Sequence, residues 1–153
     1  SDVCSSDLEN QFIISKSISA FANSKGGTLY IGIKDNGEPL GLVPDYEVLN
    51  ANADKFEILL KNSIKKYFDD DKEIFNCLAR LHIIKYKTKD ICEIIVNPSP
   101  KPVVIFKELR TDKGTIKLPC FFVRIGNSSE DLPVLSFINY WLEKVQTINE
   151  QSS

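Results

Sequence analysis

The sequence predicts an α+β domain, a mostly antiparallel sheet with about three helices packed on it. Two observations carry that reading. Three stretches, Glu9 to Ser24, Asn52 to Phe68 and Leu132 to Val145, repeat apolar residues at helical spacing. Between them lie short runs rich in β-branched and aromatic residues, joined by brief turn signals, which is the pattern of hairpins.

In the first helix, Ile14, Ile18 and Phe21 lie three or four apart, and Phe12, Ile13, Ala20 and Ala22 widen the face. Asn23-Ser24-Lys25-Gly26-Gly27 stops it, because glycine permits the left-handed backbone of a helix end. Thr28 to Ile33 is a compact apolar run, expected to be a strand covered on both faces. Gly32 within it marks a bulge or the close approach of another segment. Asp35-Asn36-Gly37 closes a hairpin, and Pro44-Asp45 marks a loop. Asn52 caps the second helix, whose apolar stripe is Phe56, Leu59, Leu60, Ile64 and Phe68. Asp69-Asp70-Asp71 follows as a solvated loop rather than a metal cluster.

Cys77 to Lys87 and Asp90 to Asn97 read as an antiparallel pair around a Thr88-Lys89-Asp90 turn. Asn97 to Pro102 is proline-rich and must be a rigid loop. Val103 to Phe106 resumes a strand, Lys107 to Leu118 reads as a flexible polar hairpin tip, and Cys120 to Ile125 is the last strand. Gly126 to Ser129 then turns into the third helix, with Leu135, Ile138, Trp141 and Leu142 as its buried face. Residues 147–153 are expected to be a disordered tail, so the domain proper spans 9–146.

A chain of 153 residues, 42% hydrophobic and 26% charged, is one ordinary domain with a real core. It has no apolar run of membrane-spanning length and no secretory signal, so no membrane partner and a cytoplasmic location are expected. The four cysteines show no CxxC pairing and there is one histidine, which argues against structural zinc. Cys77, Cys92 and Cys120 are read as small core residues of a reduced protein. The net charge is -2, but its distribution is uneven. From Leu78 to Gly126 there are ten Lys or Arg and four Asp or Glu, a net +6, which leaves -8 for the remainder. Single strand lysines keep edges soluble, whereas a one-sided excess suits a phosphate backbone.

Ala20-Phe21-Ala22-Asn23, Gly26-Gly27-Thr28-Leu29, Ile31-Gly32-Ile33 and Asp35-x-Gly37-x-x-x-Gly41-Leu42 follow one another in order. Together they resemble the Schlafen AlbA-like domain, also called a divergent AAA or DNA-binding domain. Asp45-Tyr46, Asp54-x-Phe56-Glu57, Pro98 to Val103 and Phe122 to Ser129 agree, so the resemblance runs from about Ile13 to Trp141. Residues 1–8, SDVCSSDL, instead resemble an in-frame translation of a sequencing adapter. Native sequence is then expected from about Glu9 of a metagenomic fragment, the alternative being a natural disordered tail. Relatives carry a strand with a Glu-x-x-x-x-Glu-Phe-Lys type pattern before the first helix, and nothing here matches it.

The resemblance implies a role for Asp35. In Schlafen-type ribonucleases an aspartate in this position joins two glutamates of the early segment to cut structured RNA with a divalent metal. Asp35 alone does not make a clamp for magnesium or manganese, which needs partner carboxylates; with those supplied either ion is compatible, and no cofactor is established by the sequence. The competing reading is that Asp35 only starts its turn. Gly26-Gly27 follows a helix rather than opening one, and GxxxxGK[ST] is absent, so a helix stop is favoured over the ATP-binding label relatives receive.

Arg124, Asn127, Ser128 and Ser129 form the stronger candidate. A strand ending in Arg, then Gly and small polar side chains leading into a helix, presents N–H groups and hydroxyls to a phosphate. Ordinary helix capping by Ser129 or Asp131 is compatible with this. Ser99 and Lys101 in the proline loop form a weaker counterpart, and Tyr30, Tyr86 and Phe106 are read as core aromatics. The expected function is a nucleic-acid-binding module of low sequence specificity for DNA or RNA, with a homodimer compatible. The alternatives are a metal-dependent endoribonuclease with an incomplete site and a regulatory interaction or nucleotide-binding domain.

Overall fold

The computed structural model of the chain describes residues 8–43, residue 46 and residues 52–152. Most of the adapter-like tail, Cys4, and the Pro44-Asp45 loop lie outside these residues. The elements run α1 (Leu8–Ala22), β1 (Gly27–Ile31), α2 (Ala53–Lys65), a 3-10 helix (Lys66–Asp71), α3 (Lys72–Leu78), β2 (Ala79–Tyr86) and β3 (Lys89–Val96). They continue with β4 (Ile105–Thr111), β5 (Gly114–Cys120), β6 (Phe122–Ile125), β7 (Ser128–Asp131) and α4 (Val134–Ser152). The fold is α+β and its strand pairs are antiparallel. Among the described residues the strands form three small sheets, ordered β1-β3-β2, β4-β5 and β6-β7.

The core is α1 and α2 laid against the three-stranded sheet. Ile14, Ile18, Phe56, Leu60 and Ile64 from the helices meet Ile31, Leu81, Cys92, Ile94 and Val96, all buried. Asn52 caps α2 as its sequence suggests, accepting from the Lys55 N–H at 2.9 Å. Ser15 and Ser19 are also fully buried on α1. Their hydroxyls donate to the carbonyls of Gln11 and Lys16, each at 2.9 Å, so burying them leaves no unpaired donor.

Two glycines behave as expected. Gly26 ends the helix at φ +76°, donating to the Phe21 carbonyl at 2.8 Å, and a Cβ there would stand 2.6 Å from the Val96 carbonyl oxygen. Gly32, at φ +94°, accepts from the N–H groups of Leu40 and Gly41, so residues 40–42 are the segment passing close by. The Asp35-Asn36-Gly37 turn closes on a single bridge, Ile33 to Pro39.

Other expectations are corrected. β1 lies beside the central β3 at an edge of the described sheet, and Thr28 and Tyr30, two apart and so on one face, are exposed, so that face is open rather than covered. Residues 72–78 are helical, so β2 begins at Ala79 and Cys77 is exposed rather than core. The β2–β3 turn falls on Lys87-Thr88, both at positive φ, in the two-residue geometry that matches strand twist. That register pairs Lys85 with Asp90 across the hairpin at 2.7 Å. The Lys85 bond holds the Asp90 carboxyl below its usual range, with help from the Tyr46 hydroxyl. Residues 107–118 form the ordered β4–β5 ribbon with its turn at Asp112-Lys113.

The final helix is longer than expected and rotated. It continues to Ser152, so residues 147–152 are helical. Phe137 is 3% exposed and packs on Phe121 with ring centroids 5.0 Å apart, whereas Leu135 is 70% and Leu142 62% exposed. The cause is the anchoring of Phe137, Tyr140 and Lys144, which share one face at helical spacing and turn the aliphatic stripe outward.

Phe137→Ala is expected to cost about 3–5 kcal/mol in denaturant unfolding, while Leu135→Ala stays within about 0.5 kcal/mol. The reverse order would restore the predicted face. Burial pushes the Cys92 thiol up to about 12, so native-state alkylation followed by peptide mapping should label Cys77 and spare Cys92.

Candidate nucleic-acid interface

The site is built on the turn that ends α1. Asn23 is fully buried, and both polar atoms of its side chain are paired. Its Nδ2 donates to the carbonyls of Val103 and Phe122, and its Oδ1 accepts from the Val103 N–H, each at 2.8 Å. These bonds bring the chain after the proline loop, and the start of β6, to the helix end. The Asn23 carbonyl in turn accepts from the Tyr140 hydroxyl at 2.9 Å and from the Lys144 ammonium at 2.8 Å.

Arg124 is delivered to the same turn. Its N–H donates to Ser24 Oγ at 2.9 Å, its guanidinium lies 4.9 Å from the Phe21 ring centroid, and Nη1 donates to Ser129 Oγ at 2.9 Å. Ser24, Lys25, Gly26, Arg124, Gly126 and Tyr140 line a cleft of about 310 Å³, with two cations and no carboxylate among them. Lys144 adds a third cation beside it, donating also to the Ser24 carbonyl at 3.0 Å. Burial holds its ammonium below the usual lysine range. A cleft with this lining suits an anion.

The predicted residues fare unequally. Arg124 and Ser129 stand together, but the turn into a helix at Gly126 to Ser129 is corrected: Gly126, at φ +60°, and Asn127 reverse the chain into β7. Ser128 pairs with Ile125 and Ser129 with Arg124, and the helix begins only at Val134. The helix-terminus cradle is therefore not built; the side-chain cation remains. Ser99 is 4% exposed and turned inward, accepting from the Lys101 N–H at 3.2 Å while its own N–H bonds the Ala22 carbonyl; Lys101 is exposed.

Asp35 lies exposed in its turn, and no group of three or more His, Cys, Asp or Glu side chains is placed to hold a metal among the described residues. The sequence reading missed Lys25, Tyr140 and Lys144. The Phe137-Tyr140-Lys144 spacing was its available signal.

Fold and site define an α+β domain with a cationic cleft at a helix end. The chain belongs to the Schlafen, AlbA_2 family, whose model matches residues 2–133. No curated protein matches it. Among solved structures, the chain is similar to the DIP2311 protein from Corynebacterium diphtheriae, at 16% identity and a TM-score of 0.55, over 88% of this chain. At that identity the likeness is one of fold, and this chain spans 19% of that protein's length. No helix among the described residues is long and apolar enough to cross a membrane.

Asn23→Ala would leave three buried backbone groups without this partner. At about 1–3 kcal/mol per unsatisfied buried group, a loss of about 3 kcal/mol or more is expected in the denaturant midpoint. A loss under about 1 kcal/mol would show that the amide is not the anchor.

Proposed function

We propose that the chain is a nucleic-acid-binding module that grips phosphates with little regard to sequence. The observation that carries this is the gathering of Lys25, Arg124 and Lys144 around Ser24. It is supported by the excess of cations between Leu78 and Gly126, and by a family whose domains are often described as DNA-binding. Backbone contacts of this kind supply affinity and position rather than sequence choice, so RNA and DNA both qualify as ligands.

The acidic-centre reading receives no further support from Asp35, which stands in an exposed turn. Gel shifts across a salt series test the proposal. Affinity should fall linearly with the logarithm of salt concentration, and binding indifferent to ionic strength would overturn it. Arg124→Ala should weaken binding by about 1 kcal/mol or somewhat more, the worth of charge-assisted hydrogen bonds. Lys25→Ala, at an exposed position, provides a second variant without a folding cost and should also weaken it.

A further inference from the structure

A second groove lies between the start of α1, the 3-10 helix and the β4–β5 ribbon, and encloses about 420 Å³. It shares no lining residue with the Arg124 cleft. Phe12, Tyr67 and Phe106 are its aromatic walls, each half-buried, so part of every ring remains accessible. Lys66, Lys107, Arg110 and Lys117 surround them, all exposed, against one carboxylate, Glu108. Phe106, Glu108 and Arg110 occupy alternate positions on β4, and Lys117 lies opposite Glu108 on β5.

Cations and rings occupy the same space. Lys66 Nζ is 5.1 Å from the Tyr67 ring centroid and Lys107 Nζ is 5.6 Å from that of Phe12. Phe12 and Tyr67 meet edge to face at 5.6 Å, which holds both rings in place. Cations alone would serve any polyanion, duplex included. Accessible rings add something only when a base face is available, and in a duplex the neighbouring pairs cover it. The volume falls within the range of small-ligand sites.

We propose that this groove binds an unpaired nucleotide of a single strand, RNA or DNA. The base stacks on Tyr67 or Phe106, and Lys66, Lys107 and Arg110 take the flanking phosphates. An ammonium now lying over a ring gives way to the base and turns to a phosphate. The proposal rests on the nucleic-acid reading above and assigns it a strandedness and a second set of residues.

Fluorescence anisotropy with labelled oligodeoxyuridylate, oligouridylate and a duplex of equal length tests it on the whole chain. Single strands should bind at least about tenfold more tightly than duplex at matched salt, and the ratio of the two oligonucleotides assigns the sugar. Tyr67→Ala and Phe106→Ala should each cost about tenfold in single-strand affinity with the salt slope unchanged, and Tyr67→Phe should retain binding. Arg110→Gln, at an exposed position, should instead make the salt slope shallower.

Duplex bound as tightly as single strand, or wild-type affinity in both ring variants, overturns the groove. If Arg124→Ala and Lys25→Ala weaken binding while every groove variant is normal, the nucleic-acid reading stands and the groove falls. Binding of no nucleic acid removes both.

Discussion

The fold depends on one buried amide. Asn23 must donate twice and accept once in a space closed to water, and its partners lie 80 and 99 residues away. An aspartate lacks the two donors, and an aliphatic side chain of similar size lacks everything Val103 and Phe122 require. The three sheets are small, and two of them are isolated ribbons. Ribbons of that size are marginal by themselves and need something to fix them to the helical core. The amide does so at the point where β6 begins, and the Asn23 carbonyl then fixes α4 through Tyr140 and Lys144.

That constraint shows which parts of the chain could be read from sequence. Features decided within a few residues were legible. Asn52 as a cap, Gly26 as a helix stop, Gly32 as a place of close approach and the stripe Phe56-Leu60-Ile64 are all local consequences of backbone sterics and periodicity. Asn23 was legible only as part of the helix stop, because nothing near it names Val103 or Phe122. In the β4–β5 ribbon Ile105 and Leu109, and Ile116, Leu118 and Cys120, do alternate, but the charged residues around Asp112-Lys113-Gly114 made the stretch read as a polar tip, and Leu109, Ile116 and Leu118 stay exposed. In α4 the apolar positions cover more of the circumference than the molecule buries, so periodicity could not choose between Phe137 and Leu135. The distant anchors chose.

The candidate site divides in the same way. Arg124 was singled out as part of a helix-terminus cradle, and Gly126-Asn127 builds a hairpin there instead. The residue nevertheless reaches an anion-suited cleft, carried by a bond between its own backbone and Ser24. Ser99 was read as a ligand-facing hydroxyl; its burial and its bonds make it part of the loop's own structure. The excess of positive charge in the later half was visible, but Lys25, Lys66 and Tyr67 come from the acidic half, and only folding brings them to the two clefts.

Helix α1 relates these two clefts. Phe12 borders one and Asn23 supports the other, eleven residues apart, which is about three turns and roughly 16 Å at the usual rise. Eleven residues bring the helix back to nearly the same side. Phe122 joins both ends, its carbonyl accepting from Asn23 while its ring packs 6.2 Å from that of Phe12, with Lys16 Nζ 5.3 Å from its centroid. At the roughly 3.4 Å per nucleotide of a strand in duplex DNA, that distance corresponds to about five nucleotides. If the two proposed sites hold one strand, α1 would act as the spacer between the groove and the cleft. The buried amide ties the far end of that helix to the chain at Val103 and Phe122.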